Sequence, residues 1–458
     1  MRQTLLLLQL CLFAVAIGAR AAQGAAPGPP HQLADSTLVQ NWTLDNGLRV
    51  STRHIPKADA VAITVAYDLG SDDDPPGREG LAMLMAELGY TAAAGGIPER
   101  SREDLDSQRP HGWSVTTTRR SIMFTEIAIT PQFPGVLQQV AQRMRGVTVT
   151  REGMQAALAT VRVQMKDRLA GKPEVSLYYL VREVGLGHDD PQLRRDAPGR
   201  ELERMSPEAA RQQIQRLLVP ANAALSVVGN LADLDVPALI QNLFGSLPAG
   251  TKFARGTRDS LRAVSKSVTL AAAQDPRGVV GIIAPPLTDA RHPAFYLCTM
   301  LLGTHFSRIW TEVGNSNAPP KATGSLFHYA LFDEPDLVRL YPPGAATTDE
   351  LGAALKDGID QLYAVVMPQE VFEQMRVGLL WLLGGPMSEE QLKRARRDSS
   401  ALHILARSTA GRELFGGEAV WGPYRERFAA LPNGGFQTWM DYYAAPEHQV
   451  RLMMGPSR

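Results

Sequence analysis

The stretch that decides the fold is Gly80–Tyr90, which reads GLAMLMAELGY and is apolar apart from Glu87. It follows the polar loop Gly70–Glu79, GSDDDPPGRE, and a turn-containing segment lies further upstream at Leu44–Val50, LDNGLRV. Residues three and four apart share one face of a helix. A helix over this stretch would therefore present Met83 and Glu87 on one face.

These segments together resemble the insulinase-type (M16) metallopeptidases. Leu44–Val50 resembles the opening strand of that family, and Gly70–Ala82 resembles the loop that enters its zinc helix. Active members carry H-x-x-E-H on that helix, with two zinc-binding histidines and a general-base glutamate. Aligned without gaps, the histidine positions fall on Met83 and Glu87, and the glutamate position falls on Ala86.

The resemblance also implies a third ligand, a glutamate from a later helix. That position falls on Gln164, 77 residues after Glu87. A side-chain amide is a poor zinc ligand, and the thioether of Met83 suits soft ions such as Cu(I). Only Glu87 could coordinate zinc well, so we expect no catalytic residues and no bound zinc in this chain.

The histidines offer no replacement site in the sequence. None of the nine has a second histidine three to five residues away, and no H-E-x-x-H motif occurs. His188 falls on a family loop usually written H-P-Y-G, and His292 precedes a proline at an expected helix start. We interpret both as loop residues.

Composition narrows the class of protein. The 458 residues are 44% hydrophobic and 21% charged, with 47 basic and 47 acidic residues. This charge balance argues against nucleic acid or an anionic membrane as a partner held by bulk electrostatics.

The N-terminus has the pattern of a secretory signal. Arg2, a short apolar run over Leu5–Gly18 and the small-residue site Ala19–Ala21 predict cleavage of residues 1–22. We therefore expect a secreted or periplasmic protein without a stable membrane anchor. After cleavage one cysteine remains, Cys298, and its apolar surroundings predict a core position.

The rest of the chain reads as one unit written twice. Pro220–Gly229 and Pro446–Gly455 share a layout of proline, polar turn, apolar strand and a glycine nine residues after the proline. We predict a flexible leader at 23–36, an N-terminal domain at 37–248, a linker at 249–267 and a C-terminal domain at 268–458. The resemblance implies an α+β fold in which each domain is a mixed sheet with helices packed on it.

Local patterns place several elements. Val61–Tyr67 and Ser121–Thr130 predict buried strands, and Phe133–Gly146 predicts an amphipathic helix. Ser206, followed by Pro207, predicts a helix N-cap.

A second departure from the family lies in the second half. There, active members or their partners often supply an Arg and a Tyr that hold substrate near the zinc. In this chain those positions fall on Gly314 and Lys321, within a polar loop. A gap in the alignment could instead give Tyr329 such a role.

These features favour an exported, noncatalytic subunit that pairs with an active, zinc-bearing M16 homologue. The strand containing Ser114, Val115 and Thr116 could still receive an extended peptide by strand addition. One alternative is a stand-alone peptide-binding or scaffold protein that pairs with itself. Another is a metallopeptidase with an unusual metal site.

Overall fold

The protein is described here by a computed structural model. It describes residues 33–34, 39–169, 173–187, 198–255, 260–269, 276–314, 327–332, 334–342, 344–363, 369–432 and 436–455. The predicted signal peptide, His188 and Lys321 lie outside these ranges. Within them, no helix is both long and apolar enough to cross a membrane.

The strands belong to three sheets. In chain order they are β1 (Leu33–Ala34), β2 (Val39–Thr43), β3 (Arg49–His54), β4 (Ala60–Tyr67), β5 (Trp113–Thr117), β6 (Ile122–Ile129), β7 (Ala223–Gly229), β8 (Val264–Thr269), β9 (Arg277–Ile283), β10 (Phe327–Ala330), β11 (Glu334–Leu340), β12 (Met387–Ser388) and β13 (Gln449–Gly455).

Fifteen α-helices lie in the described ranges. In chain order they are α1 (Leu81–Thr91), α2 (Arg102–Gln108), α3 (Phe133–Arg145), α4 (Arg151–Leu169), α5 (Pro173–Gly185), α6 (Arg200–Glu203), α7 (Pro207–Leu217), α8 (Val236–Phe244), α9 (His292–Gly314), α10 (Thr348–Tyr363), α11 (Gln369–Leu380), α12 (Glu389–Arg397), α13 (Ser399–Leu414), α14 (Gly417–Ala429) and α15 (Phe436–Ala444).

The first large sheet is mixed, with the order β2-β3-β7-β4-β6-β5. β3 and β7 run parallel, and every other neighbouring pair is antiparallel. The central strands β4 and β7 are buried along their whole length. Strands covered on both faces have near-continuous apolar sequences, which is why Val61–Tyr67 was recognisable.

The two faces of this sheet differ in character. One face carries large apolar side chains such as Val65 and Leu225, which form a core with α1, α3, α4, α7 and α8. The other face carries small side chains such as Ala62 and Ala66. Small side chains let a helix approach closely, and the helix that covers this face is α13, from the second half of the chain.

The second large sheet repeats the first. Its order is β10-β11-β9-β13-β8, with β13 and β8 parallel and the other pairs antiparallel. Strand for strand this matches β5-β6-β4-β7-β3 of the first sheet. Short 3₁₀ turns at Pro220–Asn222 and Pro446–His448 lead into β7 and β13. The predicted duplication and α+β fold are confirmed.

The two halves exchange helices. While α13 covers the first sheet, α5 from the first half packs on β9 and β13 of the second sheet. Leu177 and Val181 of α5 form a buried cluster there with Val279 and Val450. Each sheet therefore completes its core with a helix from the other half.

Two predicted segments differ in the structure. Leu33 and Ala34, within the predicted flexible leader, pair with Ser388 and Met387, because two short extended segments can share backbone hydrogen bonds there. The predicted linker 249–267 overlaps β8, since residues from Val264 onward pair with β13. The outer domain boundaries stay predictions.

Candidate functional site

The helix α1 begins where the sequence places it, after Gly80. Gly80 has φ +94, a region that favours glycine, and a Cβ here would lie 2.8 Å from Met165 Sδ. The carboxylate of Asp74 accepts hydrogen bonds from the backbone N–H of Gly80, at 2.7 Å, and of Ala82, at 2.8 Å. It thus satisfies donors at the start of the helix, where negative charge also favours the helix dipole.

The three motif positions on α1 are all buried. Met83, Ala86 and Glu87 are 3%, 2% and 5% exposed. Met83 and Ala86 belong to the apolar core of the first half. At these two positions the chain supplies packing surface, and the third position buries a carboxylate.

The carboxylate of Glu87 is bound at both oxygens by Arg102. The Arg102 Nε donates to Oε1 at 3.0 Å and Nη2 donates to Oε2 at 2.5 Å. Bidentate pairs of this kind are among the stronger charge-assisted hydrogen bonds. The Arg102 guanidinium also lies 5.6 Å from the ring centroid of Trp113.

Arg102 is positioned by the helix that it begins. Its N-cap, Ser101, accepts a hydrogen bond from Asp104 N, and the Asp104 carboxylate accepts one back from Ser101 N. This capping box fixes the first turn of α2 and so holds the guanidinium over Glu87. The sequence contains the capping pattern, but nothing in it connects Arg102 to Glu87.

Gln164 lies on α4, which packs beside α1. Val161 and Met165 on the same helix are buried against the start of α1, and Gln164 is half-buried next to them. The structure thus brings the predicted third position to the helix that neighbours the motif. Among the described residues, no group of three or more His, Cys, Asp or Glu side chains is arranged to hold a metal ion.

The candidate peptide strand β5 lies at the end of its sheet and pairs with β6 alone among the described strands. Its side chains are already engaged with α13 on one face. Ser114 Oγ lies 3.3 Å from His403 Nε2, and Thr116 Oγ1 accepts a hydrogen bond from Arg407 Nη1 at 3.0 Å. Val115 points to the opposite face and packs on the core that includes α1. A peptide added here would bind through the β5 backbone. Such binding stays a prediction.

His403 contributes to this contact in its neutral form. Burial, together with the nearby positive charge of Arg407, lowers its pKa to about 3. A neutral imidazole can accept or donate one hydrogen bond at each nitrogen according to its tautomer. The Ser114–His403 contact joins residues 289 positions apart, and no local pattern in the sequence indicates it.

The possible substrate-holding role of Tyr329 does not fit its position. Tyr329 is buried in the second half, where its hydroxyl donates to Pro335 O at 2.8 Å and lies 3.1 Å from His292 Nε2. The other ring nitrogen of His292 lies 2.8 Å from the hydroxyl of Tyr424. These aromatic side chains form a packed internal network because buried polar atoms need partners.

His292 and Cys298 occupy the helix α9. His292 is its first residue and is fully buried, so the prediction of a helix start is right and the prediction of a loop residue is wrong. Burial lowers the His292 pKa to about 4. Cys298 is buried, as predicted, and burial raises the pKa of its thiol. Gly314 ends α9.

Comparison with known proteins gives one family match and many similar folds. Residues 204–399 match the family model described as the peptidase M16 inactive domain. A search of curated proteins found no match.

Three solved structures illustrate the shared fold. A protease from Helicobacter pylori has a TM-score of 0.71 at 14% identity, covering 93% of this chain and all of its own. An M16 inactive domain from Pseudomonas fluorescens has a TM-score of 0.61 at 12% identity, covering 92% of this chain and 98% of its own. The periplasmic protease PqqL from Escherichia coli has a TM-score of 0.61 at 15% identity, covering 94% of this chain.

This chain spans only 48% of the length of the Escherichia coli protease. At such identities the likeness establishes the fold. Residues 204–399 therefore match the M16 inactive-domain model, and the chain has the fold of these M16-type peptidase structures.

Proposed function

We propose that this protein is an exported, noncatalytic M16-type subunit that pairs with a zinc-bearing homologue and helps to enclose or bind its peptide substrate. The observation that carries the proposal is the bidentate pair between Glu87 and Arg102. It occupies the one motif position that could have coordinated zinc.

The donor set does not fit zinc, for three physical reasons. Met83 offers a thioether, Ala86 offers no donor or base, and both oxygens of Glu87 already accept from Arg102. Zinc sites need three or four good N, O or S ligands. A cation bound by Glu87 would also lie next to the Arg102 guanidinium, and like charges at that separation repel strongly in a buried setting.

One observation supports a partner, and a second supports its compartment. The Escherichia coli protease has this fold over about half of its chain, since the present chain covers 48% of it. The rest of that polypeptide is comparable in length to the part that this chain matches. In this protein we propose that the counterpart of that remaining part is a separate subunit, and the periplasmic description of that relative supports the same compartment here.

The described surface constrains the kind of contact. Its exposed large hydrophobic side chains are Val163 and Val420. Stable interfaces normally bury about 800 Å² on each partner. An interface on the described surface would contain few exposed large hydrophobic side chains. We therefore expect charged side chains to contribute to pairing, and pairing to weaken as salt is raised.

The first experiment tests catalysis in the protein alone. We expect elemental analysis to find no stoichiometric zinc and peptide assays to find no cleavage. A content of about one zinc per chain, abolished by Glu87→Ala, would overturn the noncatalytic assignment.

The second experiment restores the motif. Met83→His, Ala86→Glu, Glu87→His and Gln164→Glu preserve the helical spacing that a zinc site needs. Arg102 would still place a guanidinium at the site, so we expect zinc binding only when Arg102→Ser is added. A fivefold variant that folds but binds no zinc would show that the alignment of α1 with the zinc helix is wrong.

The third experiment tests pairing. The protein is mixed with an H-x-x-E-H homologue from the same genome, and size exclusion and peptidase rate are measured across a salt series. We expect a heterodimer at low salt and a higher rate than the homologue alone. A protein that stays monomeric and leaves that rate unchanged would contradict pairing, and self-association alone would favour the homodimeric scaffold.

A further inference from the structure

A cluster of buried charged side chains lies beyond the C-terminal end of α1. We call it the Tyr90 cluster, and it consists of Tyr90, Arg100, Arg109, Glu126 and Arg143. Tyr90, Arg100, Glu126 and Arg143 are each more than nine-tenths buried. The cluster lies between α1, α2, α3 and the strands β5 and β6. The motif positions Met83, Ala86 and Glu87 are not part of it, and it contacts the candidate peptide strand through Trp113.

The ring of Tyr90 is fixed by aromatic neighbours. It stacks on Trp113 and Phe124, with centroid separations of 5.2 and 5.9 Å and interplanar angles of 15° and 13°. The guanidinium carbons of Arg100 and Arg143 each lie 5.5 Å from the Tyr90 centroid. The tyrosine is thus held between β-strand aromatics and two cations.

A small cavity borders these groups. Its volume is about 30 Å³, and Tyr90, Glu126 and Arg143 line it together with side chains that are mostly apolar or aromatic. Such a volume accommodates one or two water-sized species. It admits a monatomic ion and excludes a peptide or a nucleotide.

Five buried donors at this cavity and beside it have no hydrogen-bond partner among the residues that the structure describes. They are the hydroxyl of Tyr90 and the Nε and Nη2 groups of Arg100 and Arg143. The remaining contacts are long: Arg143 Nη1 donates to Gly89 O at 3.4 Å and Ala92 O at 3.2 Å. Arg100 Nη1 donates to Gln108 Oε1 at 3.3 Å. Orphaned buried donors cost stability unless something accepts from them.

The charges of the cluster do not balance. Glu126 is the one carboxylate in it, and it accepts from Arg109 Nε at 2.5 Å. Among the described residues neither Arg100 nor Arg143 forms an ion pair with a carboxylate, although Glu126 interacts electrostatically with both and Asp104 with Arg100. Burial lowers the pKa of Arg143 to about 10, so it stays protonated at neutral pH. The C-terminus of α1 offsets only about half a charge.

We propose that the Tyr90 cluster binds a small monatomic anion of the size of chloride, held by Tyr90 and Arg143, which line the cavity, with the Arg100 guanidinium beside the same tyrosine ring. An anion accepts from several donors at once, whereas a water also has to donate its own hydrogens. Glu126 opposes the anion from one side of the cavity, and its pair with Arg109 neutralises that charge. Because Trp113 begins β5 and stacks on Tyr90, the anion would also stabilise the start of that strand.

Bromide, which scatters anomalously, tests the location directly. Crystals of the full protein grown with bromide in place of chloride should show an anomalous peak beside Tyr90 Oη and Arg143 Nη2. No peak there, with bromide ordered elsewhere in the same crystal, would overturn the proposal.

Thermal unfolding tests the affinity in solution. At constant ionic strength, replacing gluconate by chloride at 100 times its Kd should raise the melting temperature by about 3 °C. Arg143→Gln should abolish most of this rise, and Tyr90→Phe, which keeps the stacked ring, should weaken it. The matched control Arg145→Gln changes an exposed arginine on the same helix and should leave the rise intact. Equal melting temperatures in chloride and gluconate for the unmodified protein would contradict the proposal without relying on any variant.

Discussion

Replacing Arg102 by Met tests whether Glu87 has become a structural residue. The change removes both donors from a carboxylate whose side chain is 7% exposed, while Arg102 itself is 29% exposed. Breaking a fully buried pair costs about 3–5 kcal/mol. Because water reaches Arg102 and would partly solvate Glu87 in the variant, we expect a loss of about 2 kcal/mol. Urea unfolding followed by circular dichroism measures it.

A double-mutant cycle isolates the pair itself. Glu87→Gln with Arg102→Met should cost less than the sum of the single changes, by about 1 kcal/mol or more. The control is Arg78→Met, which breaks the Arg78–Glu201 pair, with side chains 39% and 62% exposed, and should cost under about 0.5 kcal/mol. If Arg102→Met proved as mild as Arg78→Met and the cycle showed no coupling, the structural role of Glu87 would be refuted.

Three further predictions concern contacts within and between the halves. Arg53→Met should lower stability in urea unfolding by about 3 kcal/mol, because the fully buried Arg53 donates to the carbonyls of Trp381 and Gly385. A loss under about 1 kcal/mol would contradict this. Gly384→Ala should cost about 2 kcal/mol in the same assay, because Gly384 has φ +87 and a Cβ there would collide with the Arg412 guanidinium. An unchanged midpoint of the urea unfolding transition would contradict it. His292, with a folded pKa of about 4 against 6.5, contributes stability that is full above pH 6.5 and is lost as pH falls toward 4. The free energy of unfolding at pH 4 should be lower by about 3 kcal/mol. A His292→Gln variant whose free energy of unfolding falls just as steeply between these pH values would contradict this assignment.

Local sequence patterns were sufficient to predict the helices, strands and caps that depend on neighbouring residues. The helix predicted at Phe133–Gly146 is α3, Phe133–Arg145, and the strand predicted at Ser121–Thr130 is β6, Ile122–Ile129. Ser206 accepts a hydrogen bond from Ala209 N at 3.1 Å, as an N-cap should. Periodicity and capping depend on neighbours along the chain, so one sequence carries them.

The contacts that define the candidate site join residues that are far apart in the sequence or that follow no regular spacing. The residue that binds Glu87 comes from a separate helix, and the covering of β5 comes from His403 and Arg407, almost 300 positions away. A single sequence gives no signal that joins such positions. The motif positions could be located because the resemblance supplied their register, but their new partners could not.

Because α13 covers the first sheet and comes from the second half, the first sheet cannot be fully covered until the second half has been synthesised. During translation, all strands of the first sheet are synthesised long before Leu414, the last residue of α13. Until then, no described helix of the first half packs closely on the face with Ala62 and Ala66. Contacts so far apart in sequence form slowly, and incomplete sheets are prone to aggregate. Fragments divided between the halves should therefore be insoluble separately and recover structure only when refolded together.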